Sequence, residues 1–145
     1  MTSGNSVLMR RIYEEVWNKG NLKTAGEIVS PQYTIHDPAI EIGSGVEAFT
    51  RHVTSVRASF PDIKFTIVDL FEADGKVTTR WTAHGTHKAE FLGVPATGNR
   101  VTVTGVTIAR FSRGKIQESW ASWDALGMMQ QLGVDVLQTA GSGLW

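Results

Sequence analysis

"KFTIVDLFEADGKVTTRWTAHGTH", residues 64 to 87, is where the apolar period of the chain changes. Lys64 to Phe71 and Lys76 to His87 read as two strands joined by the turn "ADGK". Downstream, Val101 to Phe111 and Lys115 to Trp123 read as a second hairpin over "SRGK". Upstream, the spacing is helical. Met9, Ile12, Tyr13, Val16 and Trp17 form one apolar face of a helix over about Val7 to Asn18, which Gly20 ends. Asn21 can cap a short helix running to Val29, closed by Ser30-Pro31, and Gln32 to Asp37 follows as a short strand. A third helix starts near Gly45, with Phe49, Val53, Val56 and Phe60 as its buried stripe and Pro61 as its stop. Asp124 and Gly133 bracket a closing helix, Ala125 to Leu132.

Helices first and a long antiparallel meander after them predict a single α+β domain, with the helices covering one face of a curved sheet. Such a sheet curls around its helices and leaves an apolar cavity at one end, the natural place for chemistry. The 145 residues suffice for one core, and 41% hydrophobic with 19% charged is an ordinary globular composition. Fourteen basic and fourteen acidic residues cancel, which argues against a nucleic-acid or membrane-surface partner. The absence of Cys excludes disulfides and thiolate chemistry. No apolar run suggests a leader or a membrane span, so a cytoplasmic protein is expected. The small residues of "TSGNS" and "AGSG" read as frayed ends around an ordered core of about residues 7 to 133.

Within the first strand, "YTIHDPAI" (33 to 40) sets His36 and Asp37 side by side. A carboxylate at a strand end in an apolar funnel can take a carbon-bound proton. An Asp before Pro can equally cap the turn through its own backbone. Tyr13, on the apolar face of the first helix, reads as a core aromatic with a partnered hydroxyl. His36 is either a proton relay or a structural imidazole, on the pocket side or the outer side. His84 and His87 stand three apart in a strand, hence on opposite faces, which argues against a shared metal. Either could touch a ligand near the lip. Trp120 and Trp123 fall on opposite faces of the last strand, so one at most stacks on ligand. Glu90, Trp81 and Asp124 complete the candidates, although Asp124 has a capping explanation.

Taken together, "VWNKGN", "YTIHDP", "FPD" (60 to 62), "GTHKAEFLGVPATG" (85 to 98), "ARFSRGKIQESW", Asp124 and "QQLG" (130 to 133) resemble the SnoaL-like polyketide or ester cyclases of the NTF2-like superfamily. The likeness runs from about Val7 to Gly133. It implies a cone-shaped α+β barrel with three N-terminal helices in a strongly curved, mostly antiparallel sheet. It also implies a homodimer through the outer sheet face. The best-known cyclases close a ring by intramolecular aldol addition without cofactor or metal, an Asp removing a proton alpha to a carbonyl. By that resemblance their Asp falls at Ala121, which cannot move a proton, and their helper His at Thr107, at best a weak donor. Steroid isomerases of the same superfamily place a Tyr in the first helix and an Asp before Pro at the end of the first strand. Tyr13 and Asp37 fill both positions, while the isomerases' third member falls on Thr107.

The resemblance therefore implies a cofactor-independent enzyme acting on a hydrophobic carbonyl compound, by cyclase-like or isomerase-like proton transfer. Asp37, Tyr13 and His36 are its expected catalytic groups. Trp17, His84, His87, Phe91, Thr107, Trp120, Ala121 and Trp123 are expected to contact substrate, and no metal or cofactor is expected. The alternatives are a binding or accessory protein with a pocket kept for ligand, or an epoxide-hydrolase or hydroxylase-like member of the fold.

Overall fold

The structure is a computed structural model and describes residues 4–135. Of the two terminal stretches expected to fray, "AGSG" lies outside the described residues, whereas Gly4, Asn5 and Ser6 of "TSGNS" already form the first turn of a helix, with Ser6 buried. Helix α1 (Gly4–Arg11) runs directly into a π-helical segment, Ile12–Trp17, and is followed by α2 (Leu22–Ile28), strand β1 (Val29–His36) and α3 (Gly45–Ser59). Strands β2 (Lys64–Ala73), β3 (Lys76–Thr86), β4 (Arg100–Ser112) and β5 (Lys115–Trp123) come next, then α4 (Ala125–Gln131). The five strands form one sheet in the order β1-β5-β4-β3-β2. The helices-first α+β architecture expected from the sequence is the one observed.

Both hairpins use the turns their sequences suggest. Asp74 and Gly75 have φ of 54° and 74°, and Arg113 and Gly114 have 54° and 76°. Positive φ at both central residues is the turn whose twist matches the flanking strands. Asn21 accepts from the Thr24 amide at the start of α2, and Asp124 accepts from the Gly127 amide at 2.8 Å at the start of α4. These caps satisfy helix N–H groups that have no partner within the helix.

Two local expectations are corrected. The second helix stops at Ile28 and β1 already begins at Val29, so Ser30 and Pro31 lie inside the strand. Proline is tolerated there because β1 is an edge strand, and its pairing with β5 is irregular between Val29 and Thr34. The sheet is also not a pure meander, since β1 runs parallel to β5. That pairing closes the cone, laying the chain after α2 against the last strand.

Alternation along the strands sorts the core. In β3, Val77, Thr79, Trp81, Ala83 and Gly85 face inward and are buried, while Lys76, Arg80 and His84 are exposed. The inward residues meet Met9, Ile12, Tyr13 and Val16 of the first helix and Phe49, Val53 and Phe60 of α3 in one apolar cluster. The Asn18 side chain fastens helix to sheet. It donates to the Phe65 carbonyl at 3.0 Å and accepts from the Phe65 amide at 2.7 Å, satisfying that edge residue as a further strand would.

Gly105 of β4 stands opposite Trp81 of β3, and the indole lies where a Cβ on residue 105 would be. The vacancy lets Trp81 lie flat on the sheet and donate to the Thr107 hydroxyl at 3.0 Å. Gly105→Val, although β-branched in a strand, is expected to lower stability by about 1–3 kcal/mol through overpacking. Calorimetry would check the lowered melting temperature.

Candidate functional site

The wide end of the cone encloses a cavity of about 140 Å³, bordered by residues of the first helix, α3, all five strands and the loop after β3. Its wall is aromatic. Trp17 packs on Phe65 at 5.0 Å and edge-on to Phe49 at 6.2 Å, Tyr33 edge-on to Phe49 at 5.6 Å, and Phe91 near Trp123 at 6.5 Å. The π-helical segment sets two of these residues. The Asn18 amide reaches back to the Tyr13 carbonyl at 3.0 Å, a five-residue step that widens the turn so that Tyr13 and Trp17 both border the cavity.

Asp37 is both turn residue and cavity residue. Its Oδ1 accepts from the Ala39 and Ile40 amides at 2.9 and 3.2 Å, the turn that Pro38 demands. The Trp123 indole N–H lies 3.2 and 3.1 Å from its two oxygens, and the carboxylate borders the cavity. The backbone bonds use Oδ1 alone, so among the described residues Oδ2 carries only the indole contact. It keeps an open lone pair.

Strand register puts Asp37 in a row of inward residues. β1 pairs Ile35 with Ser119 and His36 with Trp120, and one further step sets Asp37 beside Ala121. Ala121 pairs with Thr107, and Thr107 with Thr79. With strands about 4.8 Å apart, Asp37 and Thr107 straddle Ala121 by about 10 Å. The small side chain in the middle leaves space above it.

At the far end of the row is a cluster of hydroxyls. Tyr13 is buried, and burial pushes its phenol up to about 12, while the nearby hydroxyls of Thr107 and Thr79 pull the other way. Tyr33 is raised as well, by burial first, with the Ser119 hydroxyl opposing. Both phenols therefore stay protonated and are hydrogen-bond donors through the neutral range.

Of the residues singled out in the sequence, Asp37, Tyr13, Trp17, Phe91, Thr107, Ala121 and Trp123 border this one cavity. Three others are displaced. His36 is on the outer face, because β1 turns Tyr33, Ile35 and Asp37 inward and its alternate outward. Its Nε2 lies 2.7 Å from Glu118 Oε2 and its ring stacks on Trp120 at 5.6 Å and 22°. That contact and the Arg110 guanidinium hold the Glu118 carboxyl below the usual carboxylate range. Trp120 shares the outer face, so Trp123 is the indole that meets the cavity. His87 is wholly buried away from the cavity lining. Its Nδ1 accepts from the Thr97 amide at 3.2 Å, and its ring stacks on Phe60 at 5.4 Å. It pins the base of the loop over residues 88–99 and is not a lip residue. His84 borders the cavity, but its ring is on the exposed alternate of β3, with Nδ1 3.1 Å from the Thr102 hydroxyl.

Glu90 and Asp124 have structural partners, the Gly93 and Gly127 amides. Asp62 of "FPD" accepts from the amide and hydroxyl of Thr86, both at 2.7 Å, which lowers its carboxyl and ties the end of β3 to the chain after α3.

Two titratable cavity residues, Tyr33 and His52, escape the sequence reading. His52 of α3 borders the cavity, half-buried, its ring edge-on to Trp17 at 5.5 Å. Burial lowers its imidazole, and the charge of Asp37 opposes that. The signal was present in the spacing, since residue 52 falls three after Phe49 and four before Val56 on the apolar stripe.

The sequence and the fold have known counterparts. The family profile of the SnoaL-like polyketide cyclases matches residues 7–132. Aklanonic acid methyl ester cyclase DnrD of Streptomyces peucetius is 29% identical over 132 residues, covering 87% of this chain and 88% of that protein. Wild-type IdmH of Streptomyces antibioticus, described as a polyketide cyclase, superposes with a TM-score of 0.77 at 33% identity, over 90% of this chain and 99% of that one. A protein of Acidithiobacillus ferrooxidans with the same description gives 0.83 at 31% identity, over 92% and 96%. The chain thus belongs to the SnoaL-like polyketide cyclase family.

Proposed function

We propose that this protein is a cofactor-independent enzyme that enolises a hydrophobic, ring-bearing carbonyl compound, as the first step of a cyclisation or isomerisation. The observation that carries the reading is the Asp37 carboxylate, held by two backbone amides and the Trp123 indole at the rim of an aromatic cavity. A carboxylate so placed can take the proton alpha to a carbonyl, the C–H electron pair moving to the carbonyl oxygen as an enolate. Tyr13, across Ala121, supplies an O–H to that oxygen. This assignment moves the base from the Ala121 position to the neighbouring strand while keeping it on the same row. Flat walls formed by Trp17, Phe65, Trp81 and Trp123 suit a planar ring system.

The test uses 1-tetralone, an aryl ketone with exchangeable alpha protons. Incorporation of deuterium at the alpha carbon in D₂O, followed by NMR, should proceed faster with protein than in buffer. A rate equal to that of buffer refutes enolisation of aryl ketones at this site.

A homodimer through the outer sheet face belongs to the same reading. Val106 and Trp120 are exposed there, framed by the Arg80–Asp69 and Arg110–Glu118 ion pairs. Val106→Glu would put a charge into the apolar centre of that face. A dimer in analytical ultracentrifugation that becomes a monomer in this variant is the expected result.

A further inference from the structure

We propose that His52 contacts the ligand as Asp37's partner, its imidazole N–H donating to the carbonyl oxygen of the ketone whose alpha proton Asp37 removes. The proposal rests on the enolisation reading above. It gives that site a second donor, close enough to the carboxylate to feel its charge.

The geometry comes from three elements. α3 carries His52 into the cavity on the same stripe as Phe49 and Val56. The end of β1 brings Asp37 to the same cavity, near enough for its charge to act on the imidazole. The first helix supplies Trp17, whose indole meets the imidazole at 83° and blocks one side of it. No hydrogen bond within the described residues engages either ring nitrogen, although the ring is half-buried among apolar side chains. The ring is only half-buried, so its nitrogens are open to a partner that enters the cavity. A ketone oxygen over Ala121 is such a partner. Asp37, its other neighbour, is already turned to Trp123 and its own turn.

Other charges near this helix face are accounted for. Arg57, five residues along α3, donates to the Trp17 carbonyl at 2.6 Å, and Arg51 is exposed. The remaining titratable residues bordering the cavity are Tyr13, Tyr33 and the outward-turned His84. Asp37 is the one charge acting appreciably on His52. A neutral imidazole suits the role. It donates an N–H to a developing enolate without neutralising the nearby carboxylate base. In the step itself the alpha C–H bond breaks, the proton passes to Asp37, and the electron pair moves through a new C=C bond onto the oxygen facing His52. Return of the proton from Asp37 to carbon closes the cycle.

Imidazole ¹⁵N spectra of the full chain test this. The resonances of His52, assigned by their loss in His52→Phe, are followed against pH with and without saturating 1-tetralone. His52 should titrate below an ordinary histidine. Asp37→Asn should lower it further, since the carboxylate favours the imidazolium. 1-Tetralone should shift the His52 nitrogens and leave those of His36 unmoved. In exchange kinetics His52→Phe should cut the turnover rate at least tenfold with little change in KM, and His52→Gln, which keeps an N–H donor, should recover part of it. A His52 signal indifferent to both Asp37→Asn and 1-tetralone overturns the proposal, even if exchange is fast. Coupled titration and a ligand shift without any exchange would instead overturn the enolisation reading and leave the paired contact standing.

Discussion

Asp37→Asn is expected to slow alpha-proton exchange of 1-tetralone by about 10²–10⁴-fold, the range that a positioned general base contributes. The substitution is a close steric match. The Asn side-chain oxygen can still accept from the Ala39 and Ile40 amides, so the turn at Pro38 survives. What is lost is the proton acceptor at the other oxygen, together with one of the two contacts to the Trp123 indole. Replacing a charged acceptor there should cost stability no more than about 1–3 kcal/mol. The change should therefore appear in the rate while the circular dichroism spectrum stays native. Exchange that persists unchanged in a folded Asp37→Asn protein would reduce Asp37 to its turn role. The base assignment would then be wrong, and the exchange would need another acceptor in the cavity.

Asp37 and His36 were both weighed from the sequence, but alternation alone does not say which of the two faces the cavity. Alternation fixes only that neighbours point opposite ways, and Tyr33, Ile35 and Asp37 share a parity that apolar burial turns inward. That parity says nothing of whether the Asp oxygens serve a turn or a cavity, and here they serve both. The two hairpins were legible because "ADGK" and "SRGK" encode their turns locally. The parallel pairing of β1 with β5 is not local. It joins residues more than eighty positions apart, and nothing in "VSPQYTIH" names its partner. Pro31 pointed the other way, marking a boundary in a place where an edge strand tolerates it. His52 was missed for a different reason. A histidine on an apolar helical stripe reads as a surface residue at the edge of the stripe until the partner helix and strand are known. The π-helical widening at Ile12–Trp17 likewise leaves no mark in a heptad-like pattern of apolar residues.

Alkaline pH should unfold this protein through the same two phenols that line the cavity. The chain has two tyrosines, and burial raises both above the ordinary value of about 10. Below pH 10 folded and unfolded chains both hold these protons, and the tyrosines add no pH dependence. Above it the unfolded chain ionises first, so stability falls as pH rises through the interval up to the folded values. At pH 11 the loss is about 1.4 kcal/mol per tyrosine, close to 3 kcal/mol for the pair, or roughly 10 °C in Tm for a domain of this size. Absorbance at 295 nm gives the direct reading. At pH 11 the folded protein should show little tyrosinate, whereas the chain in denaturant should be almost fully ionised. Tyr33→Phe removes one ionising group and should remove about half of the difference in Tm between pH 9 and pH 11. Substantial tyrosinate in folded protein near pH 10 would mean that water reaches these hydroxyls. Tyr13 could not then be the dry, protonated donor that the enolate requires.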